Sequence, residues 1–162
     1  MFRRTLGLTA AALTALATPS AYAGAAPVLG HDGVGRLRID MTLEQARATG
    51  ELVAKPKLSG PTCFGFDFKG HPTPAEDASV AVSKTDGVAG IFAYRGMVTP
   101  EGIGFGSTRA QVRKAYPKAS EGFLGLAAPL PGKPNRFYFF GFDKKNQVIQ
   151  LRLQRAEQNC IG

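Results

Sequence analysis

The sequence predicts an α+β domain in which two tandem helix-plus-antiparallel-strand repeats share one sheet, with the helices on one face. Three observations predict it. A helix-start signal occurs twice, each copy is followed by strand-like alternation, and tight-turn residues separate the alternating runs.

The first copy runs from Gly35 to Gly50 and the second from Glu101 to Tyr116, at an offset of 66. Leu37 meets Ile103, Ile39 meets Phe105, Thr42 meets Thr108, Gln45 meets Gln111 and Ala46 meets Val112. In each copy a short alternating segment leads to a threonine whose hydroxyl can cap a helix start. A short helix follows, with Leu43, Ala46 and Gly50, or Val112, Ala115 and Tyr116, toward the core. Gly50 ends the first helix and Pro117 the second.

After the helices the offset becomes 60, placing Gly65 over Gly125, Val88 over Val148 and Ile91 over Leu151. It drops by six because the first copy has the longer loop, around Lys55 to Pro61. Two hairpins are expected. Ser79 to Lys84 and Val88 to Tyr94 flank Thr85-Asp86-Gly87, and Asp-Gly is a strong hairpin signal. Arg136 to Phe142 and Gln147 to Gln154 flank Asp143 to Asn146. The proline-rich stretches His71 to Asp77 and Ala127 to Asn135 read as irregular loops. Each half is thus a helix and about three strands, and the halves need each other to build a core.

Residues 1–23 read as a signal peptide. Arg3 and Arg4 precede an apolar run from Leu6 to Ala17, and Ala21-Tyr22-Ala23 is a small-x-small cleavage pattern. A retained membrane anchor is the competing reading, but the run is short for a span. The general secretory route fits better than the twin-arginine route, and no cysteine near the cut offers a lipid anchor. Residues 24–33 are expected to be a flexible N-terminal tail. Residues 34–162 form a single domain of two repeats, 34–95 and 96–162. The expected location is secreted, periplasmic or otherwise extracytoplasmic, with no stable membrane anchor.

The formal net charge is +8 at pH 7 and falls to +6 once Arg3 and Arg4 are removed. Such an excess favours anionic partners: cell-wall polymers, lipid headgroups or acidic proteins. Nucleic acid is not expected, because no basic run or nucleic-acid motif is present. The chain holds two cysteines, Cys63 and Cys160. In an oxidising compartment an even pair suggests one disulfide. It would close a loop of about 98 residues, for which chain entropy alone gives about 4 kcal/mol. A redox role would call for Cys-x-x-Cys spacing, which is absent.

Asp40-Met41-Thr42-Leu43-Glu44-Gln45-Ala46 and Gly106-Ser107-Thr108-Arg109-Ala110-Gln111-Val112 resemble the Gly-Met-Thr-x-x-x-Val helix start of the beta-lactamase inhibitory proteins and their relatives. The outer-membrane assembly lipoproteins use a single copy of a similar unit. The resemblance extends over most of Leu37 to Leu153 and implies a fold and a binding surface. Asp40 replaces the family's glycine in the first copy, and Ser107 its methionine in the second. The family inhibitor has a disulfide within each repeat, whereas two cysteines allow one bridge, between the halves. No lactamase-contacting residue is carried over, and no lactamase target is implied.

Catalytic chemistry is sparse. His31 and His71 are the histidines available, each in an expected loop or tail, and no pair has metal-ligand spacing. Gly102 to Gly106 superficially resembles a phosphate loop but lacks the following Gly-Lys-Ser/Thr. Asp67, Glu76 and Asp77 could cluster, as ordinary solvated loop carboxylates do. No cofactor, metal or enzymatic activity is expected.

Strand alternation suggests a recognition surface instead. Ile149, Leu151 and Leu153 share a face that should be buried, with Phe140 and Tyr138 opposite Ile149 and Leu151. Val80, Val82, Ile91 and Ala93 belong to the same layer. The other face then carries Phe92, Tyr94, Phe137, Phe139, Gln150, Arg152 and Gln154. Aromatics beside an arginine on an exposed sheet are typical of recognition surfaces. The competing reading is that a loop, a tail or a second copy covers them, and a register slip of one residue would invert the faces. The expected function is therefore a secreted binding or inhibitory module whose partner is an extracellular or envelope protein. The alternatives are a cell-envelope structural or assembly factor, and a hydrolase with an unrecognised site.

Overall fold

The structure, a computed structural model, describes residues 25–122 and 124–161. The expected signal peptide over residues 1–23 lies outside them. A two-stranded sheet comes first, β1 (Gly33–Val34) and β2 (Leu37–Arg38), then helix α1 (Leu43–Ala48). Four strands follow: β3 (Leu52–Lys55), β4 (Cys63–Phe68), β5 (Val80–Ser83) and β6 (Gly87–Phe92). Helix α2 (Arg109–Ala115) precedes β7 (Ser120–Gly122), β8 (Gly125–Leu130), β9 (Lys133–Phe142) and β10 (Val148–Arg155). The eight strands β3 to β10 form one antiparallel sheet in the order β3-β4-β5-β6-β10-β9-β8-β7.

This corrects the expected fold class. The molecule is mostly β, not two helix-plus-strand repeats with a helical layer on one face. The helices are six and seven residues long, and each has one fully buried residue, Ala46 or Val112. Thr42 and Thr108 do cap them, each in a reciprocal pair with Gln45 or Gln111. A cap fixes where a helix begins, not how far it runs. Gly50 (φ +72°) and Pro117 stop these helices within two turns, too short to form a layer.

The core is built mainly by the sheet itself. Phe66, Val80, Val82, Ile91, Leu126, Tyr138, Phe140, Val148, Leu151 and Leu153 are buried on its apolar side. Leu29, Leu37, Ile39, Met97 and Ile103 close over them from loops and the N-terminal segment. Residues 25–33 are accordingly no loose tail. Leu29 is fully buried, its N–H donates to Val98 O at 2.9 Å, and its carbonyl accepts from the Tyr138 hydroxyl at 2.6 Å. Asp32 pairs with Lys133 at 2.8 Å and also with Arg136. Asp40, at a left-handed φ of +71°, joins Arg136 to Arg155.

Two further expectations change. Ala127 to Asn135 is not an irregular loop but the β8–β9 hairpin. Strand β7 pairs only as far as Ala127, so Pro129 lies where β8 is one-sided, the setting that tolerates proline. Ile149 sits at an irregularity between Val148 and Gln150 and is exposed, so Val148 takes the buried place. The turn is one residue longer than expected, pairing Phe142 with Val148, and the bulge adds one more, so Leu151 lies opposite Phe140 and Leu153 opposite Tyr138, a total shift of two that leaves both residues on the core side.

Candidate functional site

The side of the sheet opposite the core carries an arginine between two aromatic rings. In register across three strands lie Phe139 of β9, Arg152 of β10 and Phe92 of β6. The guanidinium carbon of Arg152 is 4.2 Å from the Phe139 ring centroid and 5.5 Å from that of Phe92. One residue row further, Gln154 lies between Phe137 and Gly90. One row the other way, Gln150 packs over Gly141, which offers no side chain to displace it. Strand pairing therefore brings Phe92, Phe137, Phe139, Gln150, Arg152 and Gln154 onto one surface.

That surface is not open, as expected from sequence, but folded in on itself. Arg152 is 9% exposed, Phe139 7% and Gln154 7%, while Phe92, Phe137 and Gln150 are half-buried. Glycines are the reason. Gly65, Gly90 and Gly141 leave troughs into which neighbours settle: Leu58 and Ala78 over Gly65, Gln150 over Gly141, and Ile161 over Gly90. Ile161 arrives from the C-terminal segment, which the Cys63–Cys160 disulfide ties back to β4. A cavity of about 240 Å³ opens beside this strap, lined by Leu58, Cys63, Phe64, Gly65, Glu76, Ala78, Ala81, Phe92 and Cys160. Phe92 is the wall shared by the cavity and the arginine.

The electrostatics of Arg152 are unusual. Among the described residues no ion pair engages it, and its Nε and the Oε1 of Gln154 are buried without a hydrogen-bond partner. Burial disfavours its charge and lowers its pKa. Buried arginines are ordinarily paired, so this one stands out.

Tyr94 does not join the surface. It lies past the end of β6, stacks on His71 with ring centroids 3.5 Å apart, and meets Phe68 edge-on. It lines a separate groove of about 520 Å³ with Val28, Val34, Lys69 and Met97. Alternation placed it with Phe92, but alternation holds only while the strand continues.

Of the residues considered as a carboxylate cluster, Asp67 is structural. It is buried, accepts from Thr73 N at 3.0 Å and Thr73 Oγ1 at 2.7 Å, and pairs with Lys55 at 3.2 Å. Sequence reasoning missed a second polar cluster, formed by His31, Glu101 and Tyr116. His31 Nε2 lies 3.6 Å from Glu101 Oε1, and the Tyr116 hydroxyl donates to Glu101 Oε2. Burial raises the Glu101 pKa, but the Tyr116 hydrogen bond and its neighbours outweigh it and hold the carboxyl below its usual range. Burial, then Glu101, raises that of Tyr116 far above its ordinary value. The cluster sets His31 of the N-terminal segment beside the Glu101–Tyr116 pair, with His31 Nε2 buried and without a hydrogen-bond partner. Among the described residues no three metal-ligating side chains converge, and no helix is long and apolar enough to cross a membrane.

No family model matches the chain, and no curated protein matches it. A crystal structure of the uncharacterized protein yfeY from Escherichia coli is similar at 16% identity and a TM-score of 0.47, covering 79% of this chain and 99% of that one.

Proposed function

We propose that the chain is an exported, non-catalytic binding module that engages an extracellular or envelope protein through the sheet surface centred on Arg152. One observation carries the reading: a guanidinium held between Phe92 and Phe139, nine-tenths buried, with no counter-ion among the described residues. Desolvating an unpaired charge costs free energy that the two cation–π contacts recover only in part. A site that accepts this cost gains where a partner supplies the missing anion, and aromatic–arginine clusters are where binding energy concentrates.

Export is supported by the charged and apolar start, by Ala21-Tyr22-Ala23, and by the Cys63–Cys160 bridge, which is consistent with an oxidising compartment. The resemblance of the Thr42 and Thr108 helix starts to those of beta-lactamase inhibitory proteins agrees with a binding role and names no target.

The test is affinity capture from culture supernatant and cell envelope with the oxidised protein and with Arg152→Glu. The variant's fold is checked by circular dichroism. A partner retained by the wild type and lost with a folded Arg152→Glu is the expected result. Equal capture by both refutes the reading, as does recovery of a precursor still carrying residues 1–23 in the cytoplasm.

A further inference from the structure

Arg152 and a cavity flank Phe92, Gln154 lies one residue row further along the same face, and together these three features specify a chemistry. The first is the guanidinium of Arg152. It offers planar N–H donors, and its Nε donor is buried without a partner. The second is Gln154 Oε1, an acceptor equally buried and equally unpartnered, two residues along the same strand face. Successive side chains on one face of a strand are about 7 Å apart, so a single small group can bridge the two. The third is the cavity of about 240 Å³ on the far side of Phe92, lined by Leu58, Phe64, Ala78, Ala81 and the Cys63–Cys160 bridge with the Glu76 carboxylate at one side, a space about the size of one side chain.

The complementary ligand needs an anionic acceptor for Arg152, an N–H for Gln154 and an apolar side chain for the cavity. A peptide carboxyl terminus joins these three at one residue: its carboxylate, its amide N–H and its side chain. We infer that the Arg152–Gln154 pair is a receptor for the C-terminal carboxylate of a partner peptide, with Phe92 and Phe139 as walls and the neighbouring cavity taking the last side chain. This rests on the binding reading above and narrows it to one kind of partner.

A carboxylate suits the site better than an isolated phosphate. Arginine holds a carboxylate in a bidentate fork, and a planar group fits between two rings. Inorganic phosphate could donate a P–OH to Gln154 Oε1, but it is tetrahedral rather than planar and brings no side chain to the cavity. The surroundings also exclude water well enough for a charge-assisted pair to count, since Arg152 is 9% exposed.

The decisive probe is acetyl-alanyl-phenylalanine, used as the free acid and as the carboxamide, titrated into the oxidised full chain while the Arg152 Nε–H resonance is followed by NMR. The acid is expected to shift that resonance saturably, and the amide to bind about tenfold or more weakly, the usual worth of a charge-assisted hydrogen bond. Acetate and inorganic phosphate are expected to shift it only weakly. Arg152→Gln, followed at the Gln154 side-chain amide in both wild type and variant, should remove the preference for the acid over the amide. Because that variant could disturb the sheet, Gln150→Glu provides a second arm. It sets a carboxylate on the same strand face two residues away, and should weaken the acid about tenfold in a folded protein by occupying Arg152 internally.

Equal binding of acid and amide would overturn the inference, and so would phosphate or anionic vesicles binding as well as the peptide acid. Absence of any shift at Arg152 would overturn it while leaving the capture experiment to decide the broader reading.

Discussion

The guanidinium carbon of Arg152 lies 4.2 Å from the ring centroid of Phe139, its cross-strand partner, and no acidic side chain among the described residues stands opposite it. Cation–π contact is worth about 0.5–2 kcal/mol, whereas an arginine placed for stability normally brings a carboxylate. Replacing Arg152 with methionine keeps the apolar stem and removes the buried charge. Stability is expected to stay within about 1 kcal/mol of the wild type while partner capture is lost. Urea denaturation of the two proteins checks this, and a loss of about 3 kcal/mol or more would mark Arg152 as structural.

The disulfide should matter more than any single surface contact. Cys63 and Cys160 are 97 positions apart, and opening the bridge frees the segment that sets Ile161 over Gly90. Changing both cysteines to serine is expected to cost up to about 4 kcal/mol. Limited proteolysis should then cut first within residues 156–161. Unchanged stability under reducing conditions would contradict the strap.

Gly87, in the β5–β6 hairpin, has no room for a side chain. Its φ is +74°, and a Cβ there would lie 2.4 Å from the Met41 carbonyl oxygen, where the start of α1 meets β6. Gly87→Ala combines an unfavourable backbone with a clash against main chain, and should cost more than about 2 kcal/mol. Gly70, at φ +79° with nothing within 4 Å, isolates the backbone effect alone, so Gly70→Ala should cost about 1 kcal/mol. Thermal melts of the two variants distinguish these outcomes.

Acid should destabilise the protein through Asp67. Burial raises its pKa, but the Thr73 hydrogen bonds and the Lys55 ammonium outweigh that and hold it below the usual carboxylate range. A folded pKa below the unfolded one gives stability that is present above about pH 4 and lost as pH falls through the folded value. Asp67→Asn is expected to be less stable than wild type at pH 7 and to show a shallower acid limb below pH 4, measured by urea midpoints across pH. A parallel pair of curves would contradict the assignment.

Much of the recognition surface was legible because period-two alternation is local. Phe92, Phe137, Phe139, Gln150, Arg152 and Gln154 share a face, and the longer turn and the Ile149 bulge together change the register by two without inverting it. What alternation cannot report is depth. The burial of Arg152 and Phe139 depends on glycine troughs and on Ile161, which reaches the sheet from the far end of the chain. Tyr94 was misplaced because it lies two residues past the end of β6. Thr42 and Thr108 announced helix starts, but their short reach, and the dominance of the sheet, depended on Gly50, Pro117 and the packing of Leu29 and Met97. The docking of Leu29 left no periodic signal, since an irregular segment has none.

The most direct measurement places a photocrosslinking residue at Gln150, half-buried beside Arg152, and for comparison at Leu124, 65% exposed between β7 and β8. Crosslinking is done in the producing cells. A discrete partner captured from position 150, absent from 124 and lost when Arg152→Gln is added, is the expected result. Adducts of equal yield from both positions, or adducts at 150 that persist without Arg152, would contradict a binding surface centred on that arginine.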